Sequence, residues 1–321
     1  VAPATADLLA RAAHGLADDL LTSVLLTARC PVLLAPAMHT EMWDHPATRA
    51  NVETLRSRGT VVVDPAEGRL TGADTGRGRL PEPAELADLA RLLLRRPDAL
   101  PRDLAGRRVL ITAGGTREAL DPVRFLGNRS SGRQGYALAL VAAARGAEVT
   151  VVAANVALPD PAGARVVVVG SAADLRDATL GVAAETDAVV MAAAVADFQP
   201  ASVAEAKIKK DAGEPAPVEL VRTPDVLAEL VAARRPGQVL VGFAAETGDD
   251  AADWLAHGRK KLARKGVDLL VVNPVGAGRA FEAPDNTAVI LSADGAEVEV
   301  PRGPKAALAA AVWDLVALRF S

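Results

Sequence analysis

Residues 108–115 form an apolar, β-branched run that ends in two glycines, and this segment constrains the fold more than any other. A second turn of small residues, Ser130 to Gly135, leads into an alanine-rich stretch that predicts a helix over 132–145. Helix N-termini bind anions because unpaired backbone N–H groups and the positive end of the helix dipole converge there. The patterns G-x-G-x-x-G and G-x-x-x-x-G-K-[ST] are both absent, so the glycines alone leave a phosphate site and an ordinary turn open.

Strand and helix patterns alternate along the chain, which predicts an α/β fold with a doubly wound, mostly parallel, Rossmann-like sheet. After residue 104 we expect strands near 108–113, 148–153, 165–169, 187–193, 238–243, 268–272 and 287–291. We expect helices near 132–145, 171–184, 224–235, 248–265 and 303–319. Earlier segments predict helices over 6–15, 17–27, 46–58 and 82–95, strands over 31–35 and 60–63, and a glycine-rich loop over 67–79. The polar, proline-containing stretch 97–104 predicts a linker between a first part, 1–96, and a second domain, 105–321.

Composition narrows the classes of function. The net charge of −4 argues against a nucleic-acid surface, which needs clustered lysine and arginine. A single cysteine, Cys30, excludes an internal disulfide framework and a cysteine-rich zinc site, and we expect it in the core. No apolar run reaches the roughly 18 residues of a membrane span, and no signal peptide is visible. We therefore expect a cytoplasmic protein whose partners are small molecules.

Two segments after the glycine turns have groups suited to a nucleotide. The run from Met191 to Ala196 is small enough for a ligand to approach the backbone, and Asp197 follows at the strand exit. Tight packing explains the same run. Lys207 lies in a polar, lysine-rich segment that suits closure over negative charge, although a solvated charge run explains it equally.

Other candidates also have ordinary structural explanations. Pro224 and Asp225 precede a predicted helix, and both residue types stabilise a helix start. Phe243 ends a predicted strand and suits the core. Lys261 and Lys265 lie four apart on one helical face, where like charges repel, so exposed lysines and triphosphate binding both remain open.

The string from Gly114 to Gly135 resembles the signature of phosphopantothenate–cysteine ligases, the second half of the bifunctional coenzyme A biosynthesis proteins. It contains GGT, E, DPVR, N, SSG and a final G in the family's order. Further family-like segments are AAAVAD, KIKK, RTPD and GFAAET, and Phe281 with Asp285-Asn286 is similar to a family loop. The resemblance implies ligation of 4′-phosphopantothenate with L-cysteine through an acyl-cytidylate made from CTP, with Mg²⁺ expected.

The resemblance also implies roles for individual residues. Asn128 would hydrogen-bond the acyl-cytidylate, Arg124 would bind or position the substrate anion, and Lys207 would clamp the activated intermediate. The nucleotide would be bound by Gly114, Gly115, Ser131, Gly132, Gly135, Ala193, Ala194, Asp197, Lys207, Pro224, Asp225, Phe243, Lys261 and Lys265. No metal ligand is assigned.

Residues 1–96 resemble the C-terminal part of a flavodoxin-like, FMN-dependent phosphopantothenoylcysteine decarboxylase. Met38, His39 and Met42 would lie at its substrate or flavin region. His39 stands where the family has asparagine, and Gly72 stands at its usual cysteine position. The strand that grips FMN and the catalytic histidine are expected before Val1, so we expect an N-terminally truncated chain that does not decarboxylate alone.

Two other classes of function stay open. An NAD(P)-binding oxidoreductase would use a similar sheet. This chain, however, lacks both the G-x-G-x-x-G pattern and an acidic residue after the second predicted strand of the second domain. A non-catalytic, flavoprotein-like regulatory subunit would not need Asn128 and Lys207, which are both present. By resemblance we expect a homo-oligomer, with dimers of the ligase domain and a larger assembly through the decarboxylase domain.

Overall fold

The computed structural model describes residues 1–209, 217–246, 251–274 and 285–320, and it divides into two compact units. The first unit contains Val1–Arg107, Ala139–Val149 and Pro159–Ala164; the second contains Arg108–Leu138, Thr150–Leu158 and Arg165–Ser321. In the described ranges no helix combines the length and apolar character that crossing a membrane requires.

Five helices precede residue 107: α1 Ala6–His14, α2 Leu20–Thr27, α3 Thr40–Asp44, α4 Pro46–Ser57 and α5 Pro83–Arg95. The Thr5 hydroxyl accepts a hydrogen bond from the Leu8 N–H and caps α1, which ends at Gly15 with a φ of +68°. Proline occupies the first position of α4 and α5, where its missing N–H costs nothing. The local core includes Leu9, Leu34, Trp43, Val52, Leu55 and Val62.

The same segment contains two small sheets. Strands β1 Leu33–Leu34 and β2 Val61–Val62 pair in parallel, whereas β3 Ala66–Arg69 and β4 Thr75–Arg79 form an antiparallel hairpin. The predicted loop over 67–79 is therefore wrong for most of its length. Glycine is depleted in strands, but a Cβ on Gly78 would lie 2.1 Å from the Met38 carbonyl oxygen, so this strand needs glycine for a close approach. The prediction of a buried Cys30 is also wrong, because this residue lies exposed in the connection between α2 and β1.

After residue 107 the helices are α6 Arg133–Ala144, α7 Ala172–Ala183, α8 Val226–Ala232, α9 Ala251–Lys265 and α10 Lys305–Ala317. The strands are β5 Arg108–Gly114, β6 Arg117–Ala119, β7 Phe125–Gly127, β8 Glu148–Ala154, β9 Ala164–Val169, β10 Ala188–Met191, β11 Phe198–Pro200, β12 Leu220–Arg222, β13 Val239–Glu246, β14 Leu269–Pro274, β15 Asp285–Ser292 and β16 Glu297–Pro304. Eight of them form one sheet in the order β16-β15-β14-β13-β10-β5-β8-β9. Neighbours among β5, β10, β13 and β14 are parallel, and β15 and β16 are antiparallel, so the predicted mostly parallel α/β sheet is confirmed.

Each strand and helix predicted in this region is present, with bounds that differ by a few residues. The antiparallel strand pairs β6–β7 and β11–β12 were not predicted, because three-residue strands carry too short a pattern. Strand β16 was also missed. It extends to Pro304, so the last helix begins at Lys305 and not at residue 303 as predicted. Helix α8 begins at Val226 because the Asp225 carboxylate accepts a hydrogen bond from the Ala228 N–H as its N-cap.

The turn after β5 needs glycine for steric reasons. Gly114 has a φ of +84°, and a Cβ there would lie 2.0 Å from the Ala154 carbonyl oxygen. A Cβ on Gly135 would lie 2.5 Å from the Cβ of Ala113, so the first turn of α6 packs directly against the end of β5. The N-terminus of α6 therefore lies at the carboxyl edge of the sheet.

The stretch 97–104 is packed rather than extended. Ala99 and Leu104 are fully buried, and the Leu104 N–H donates to the Arg145 carbonyl at 3.3 Å. The guanidinium of Arg145, whose side chain is 1% exposed, pairs with Asp103 and donates through Nε at 2.9 Å. These residues belong to the first compact unit, so the bounds 1–96, 97–104 and 105–321 stay a prediction.

Removing Asp103 should destabilise the protein strongly, because the buried Arg145 charge would lose the Asp103 carboxylate. We expect Asp103→Ala to lower the free energy of unfolding by about 3 kcal/mol, measured by urea denaturation. Asp98→Ala is the control, since Asp98 is exposed and its ion pair with Arg96 is long, at 3.7 Å. Equal effects of the two substitutions would contradict the importance of the Arg145 pair.

Candidate functional site

A cavity of about 170 Å³ lies in the second unit, where β10, β13 and β14 approach their carboxyl ends beside the start of α6. Six predicted nucleotide-binding residues line it: Ser131, Gly132, Gly135, Ala193, Ala194 and Phe243. Residues lining it that were not predicted include Arg129, Arg133, Gln134, Asn273, Asn286 and Lys305. The structure thus brings the SSG turn, the alanine run and the GFAAET strand around one cavity.

The alanine run after β10 is held in place by hydrogen bonds to the backbone of the turn that follows β5. The Ala194 N–H donates to the Gly114 carbonyl at 2.8 Å, and the Thr116 N–H donates to the Ala194 carbonyl at 3.2 Å. Gly115 and Ala194 form an isolated parallel bridge. Two buried hydroxyls complete the support. Thr112 accepts from the Ala193 N–H at 3.1 Å, and Thr116 accepts from the Ala196 N–H at 2.9 Å.

Asn128 follows the hairpin β6–β7 and reaches the same run. Its amide Nδ2 donates to the Val195 carbonyl at 3.2 Å, and its side chain is exposed. The hairpin is fixed by the buried Glu118, which accepts from the Ala172 N–H at 3.0 Å. Asn128 is therefore placed beside the alanine segment, at a position where a ligand has access.

The turn that contains Arg124 binds the segment that contains Lys207. Asp121 is 2% exposed and accepts hydrogen bonds from the N–H groups of Val123, Arg124 and Ile208, and from the Arg124 guanidinium. The same guanidinium donates to the Ile208 carbonyl at 2.9 Å. The Arg124 guanidinium in particular holds the pKa of the Asp121 carboxyl far below its ordinary value. Sequence reasoning missed this role of Asp121, although the residue belongs to the DPVR motif.

Asp197, Pro224 and Asp225 lie outside the residues that line the cavity, but the backbone links their segments. The Thr223 N–H donates to the Asp197 carbonyl at 3.1 Å, and the Thr223 hydroxyl donates to the Ala196 carbonyl. The turn that starts α8 is therefore tied to the end of the alanine run. Asp197 and Pro224 are both exposed.

Lys265 pairs with Asp225 instead of facing the cavity. Burial raises the pKa of Asp225, but hydrogen bonds from Lys265 and the Ala228 N–H outweigh burial, so the net pKa is lowered. Lys261 lies one turn earlier on α9 and is half-buried. The structure therefore supplies a partner for Lys265 that the lysine spacing did not reveal.

A chain of side-chain amides forms another wall of the cavity. Asn273 donates to the Asn286 amide oxygen at 2.7 Å, and Asn286 donates to the Gln134 amide oxygen at 3.2 Å. Gln134 in turn donates to the Lys305 carbonyl at 3.2 Å. Gln134 and Asn286 stand in family-like motifs, which was a usable signal, whereas Lys305 carried none. Phe281 lies outside the described residues.

In the first unit, Met38, His39 and Met42 surround the start of α3. The Met38 N–H donates to the Gly78 carbonyl at 3.0 Å, which fixes this segment to β4. The His39 Nδ1 lies 4.0 Å from the Asp74 Oδ2, and both side chains are largely exposed. Met42 is 46% exposed. Met38 is partly buried and packs against the local core, whereas His39 and Met42 lie exposed on the surface of the unit.

Asp121 predicts a dependence of stability on pH. Its folded pKa lies below the unfolded value of about 3.9, so its ionised form stabilises the fold above that pH. This contribution declines as the pH falls below about 4 and is lost below the folded pKa. Urea unfolding should show wild type more stable than Asp121→Asn near neutral pH, with a margin that shrinks on acidification. A margin that is constant from neutral pH to about pH 3 would contradict this role.

Two family models match this chain. Residues 104–319 match the DNA/pantothenate metabolism flavoprotein C-terminal domain, and residues 1–94 match Flavoprotein. The coenzyme A biosynthesis bifunctional protein CoaBC of Mycolicibacterium smegmatis is 62% identical over 323 residues, which cover 99% of this chain and 78% of that protein. The protein of the same name from Bacillus subtilis is 46% identical and is matched over 94% of this chain and 73% of its own length.

A solved structure agrees with these matches. The crystal structure of the C-terminal domain of coenzyme A biosynthesis bifunctional protein CoaBC superimposes with a TM-score of 0.57 and 35% identity, over 68% of this chain and 97% of that one. The predicted resemblance is therefore confirmed at the level of sequence and fold. The chain belongs to the family of bifunctional coenzyme A biosynthesis proteins.

Proposed function

We propose that the chain ligates 4′-phosphopantothenate with L-cysteine in coenzyme A biosynthesis, and that CTP activates the carboxylate. The observation that supports this most is the cavity in which the start of α6, with Ser131 to Gly135, faces the backbone of the alanine run. Such a cavity offers N–H groups to phosphates and a small-residue floor to a nucleotide. Membership of the coenzyme A biosynthesis family supports the substrate assignment.

The proposed reaction has two steps. A carboxylate oxygen of phosphopantothenate attacks the α-phosphorus of CTP, which forms an acyl–phosphate bond and releases pyrophosphate. The cysteine amine then attacks the acyl carbon, forms the amide, loses a proton and releases CMP. Activation is needed because a carboxylate oxygen is a poor leaving group. The protein contributes orientation and charge neutralisation.

Three residues are proposed to act on the reacting groups. Asn128 is exposed beside the Val195 carbonyl and would hydrogen-bond the acyl-cytidylate. Arg124, held by Asp121, would position the substrate anion. Lys207 is exposed next to Ile208, which is bonded to the same Asp121, so its ammonium would be brought to the activated intermediate by this turn.

The remaining predicted residues are proposed to bind the nucleotide from two sides. Ser131, Gly132 and Gly135 would hold phosphate oxygens, and Gly114, Gly115, Ala193, Ala194 and Phe243 would shape the adjoining wall. Asp197, Pro224 and Asp225 would lie nearer the base and ribose, because their backbone joins the end of the alanine run. Lys261 and Lys265 would act from α9, with Lys265 also fixing Asp225.

Mg²⁺ is proposed to enter with the nucleotide. In the described residues no group of three or more histidine, cysteine, aspartate or glutamate side chains could hold a metal ion. Mg²⁺ is commonly held by substrate phosphates with few protein ligands. When bound, the ion would neutralise phosphate charge.

The match to Flavoprotein supports FMN in the decarboxylase part of the protein. Met38, His39 and Met42 are proposed to lie at its substrate or flavin region, with His39 in place of the family's asparagine. No decarboxylation step is assigned to these residues, of which His39 and Met42 are exposed and Met38 is partly buried against the local core. We also propose a cytoplasmic homo-oligomer, as the family resemblance implies.

The proposal is tested by pyrophosphate release from this chain with phosphopantothenate, cysteine and Mg²⁺, comparing CTP with ATP. Release with CTP that requires phosphopantothenate, together with a product that has the mass of the cysteine amide, is the expected result. Release with ATP alone would correct the nucleotide. Silence with both nucleotides from a folded sample would contradict ligation by this chain.

A comparison of two lysines in one segment tests the proposed role of Lys207. Lys207 and Lys209 are both exposed, but only Lys207 is proposed to contact the intermediate. We expect Lys207→Ala to lower kcat for pyrophosphate release about a hundredfold, because a cation at the developing charge is lost. Lys209→Ala should stay near wild type. Equal losses would instead indicate a general effect of positive charge.

A further inference from the structure

Lys305, the first residue of α10, lines the nucleotide cavity. Within the described ranges its ammonium has no hydrogen-bond or ion-pair partner, and neither have the guanidinium groups of Arg129 and Arg133, which line the same cavity. Lys265, in contrast, is already paired with Asp225. Among the described residues that line this cavity, the positive charge that remains available therefore comes from Lys305 and the two arginines.

This charge is poorly compensated in the protein alone. Burial lowers the pKa of Lys305, and repulsion from Arg133 lowers it further, while Asp285 offsets only part of the effect. Asp285 also interacts with Arg302, whose Nε lies 3.7 Å from its carboxylate. A partly desolvated lysine beside an arginine is unfavourable without an anion, so an anionic ligand would relieve this cost.

The local backbone adds to the attraction for an anion. Pro304 precedes α10 and provides no side-chain cap, so no side chain accepts from the first N–H groups of this helix at that position. Gln134, in the first turn of α6, donates to the Lys305 carbonyl at 3.2 Å and ties the two helix starts together. The positive ends of α6 and α10 thus meet at the same cavity.

We propose that Lys305, together with Arg133, binds the β- and γ-phosphates of the nucleoside triphosphate, the part that leaves as pyrophosphate. This inference rests on the proposed ligase function and adds a residue to it. Pyrophosphate carries several negative charges. When the bond between the α-phosphorus and the bridging oxygen breaks, its electron pair leaves with pyrophosphate. Lys305 is therefore a nucleotide-binding residue that also stabilises the leaving group.

Binding measurements on the full chain test this assignment without depending on turnover. Isothermal titration calorimetry should show that Lys305→Met raises the Kd for CTP and for inorganic pyrophosphate about tenfold or more, since a charge-assisted contact is lost. Binding of CMP, which lacks the terminal phosphates, should stay within about twofold and shows that the variant is folded. Lys305→Arg should restore most of the affinity for pyrophosphate.

Lys260→Met is the matched control, because Lys260 is exposed on α9 and does not line the cavity. It should bind all three ligands like wild type. Unchanged pyrophosphate binding by Lys305→Met, or an equal loss for CMP and CTP, would overturn the assignment. Phosphopantothenate is titrated as a fourth ligand. A loss of affinity confined to phosphopantothenate would also overturn the assignment and would place Lys305 at the substrate phosphate.

The two levels of the proposal fail in different ways. Lys305-dependent binding of pyrophosphate without any ligation would keep the assignment of Lys305 as a phosphate-binding residue and contradict the ligase function. Ligation with undiminished pyrophosphate binding by Lys305→Met would keep the function and remove Lys305 from the site.

Discussion

The candidate site depends on the close packing of α6 against the end of β5. A side chain at position 135 would collide with Ala113, so only glycine fits there. Gly114 has a positive φ, and a side chain at this position would collide with the Ala154 carbonyl. This packing places a helix N-terminus at the carboxyl edge of the sheet. The same turn holds the alanine run through the hydrogen bond from the Ala194 N–H to the Gly114 carbonyl. The geometry of the proposed phosphate site is thus a consequence of steric constraints at two glycines.

Charges around this packing separate into two kinds. Asp121 and Asp225 hold segments in place, and each has a cationic partner and backbone donors. Lys305 and Arg133 face the cavity without such partners within the described part of the chain. Paired charges fix loops, whereas the partly desolvated Lys305 and the exposed Arg133 keep their attraction for an anionic ligand. An anionic nucleotide suits this distribution.

The alternation of strands and helices and the SSG turn were predictable because both depend on local patterns. The role of Asp121 was not, since its carboxylate binds Ile208, whose position depends on the tertiary fold. The same holds for Lys305, which lines the cavity and whose carbonyl accepts a hydrogen bond from Gln134, far away in the sequence. The β3–β4 hairpin was missed for a different reason: Gly76 and Gly78 allow close approach to Thr40 and Met38, and glycine lowers the local preference for strand. The lysine spacing on α9 left a triphosphate contact open, and the structure shows Asp225 as the partner of Lys265.

The most direct test of carboxylate activation in this cavity is a rapid-quench measurement of pyrophosphate from CTP and phosphopantothenate in the absence of cysteine. Since the proposed acyl-cytidylate would form before the amine reacts, a burst of about one equivalent of pyrophosphate per active chain is the expected result. Addition of cysteine should then restart release and convert the bound intermediate to the amide and CMP. Pyrophosphate release that does not require phosphopantothenate, or that begins only after cysteine is added, would contradict activation through an acyl-cytidylate.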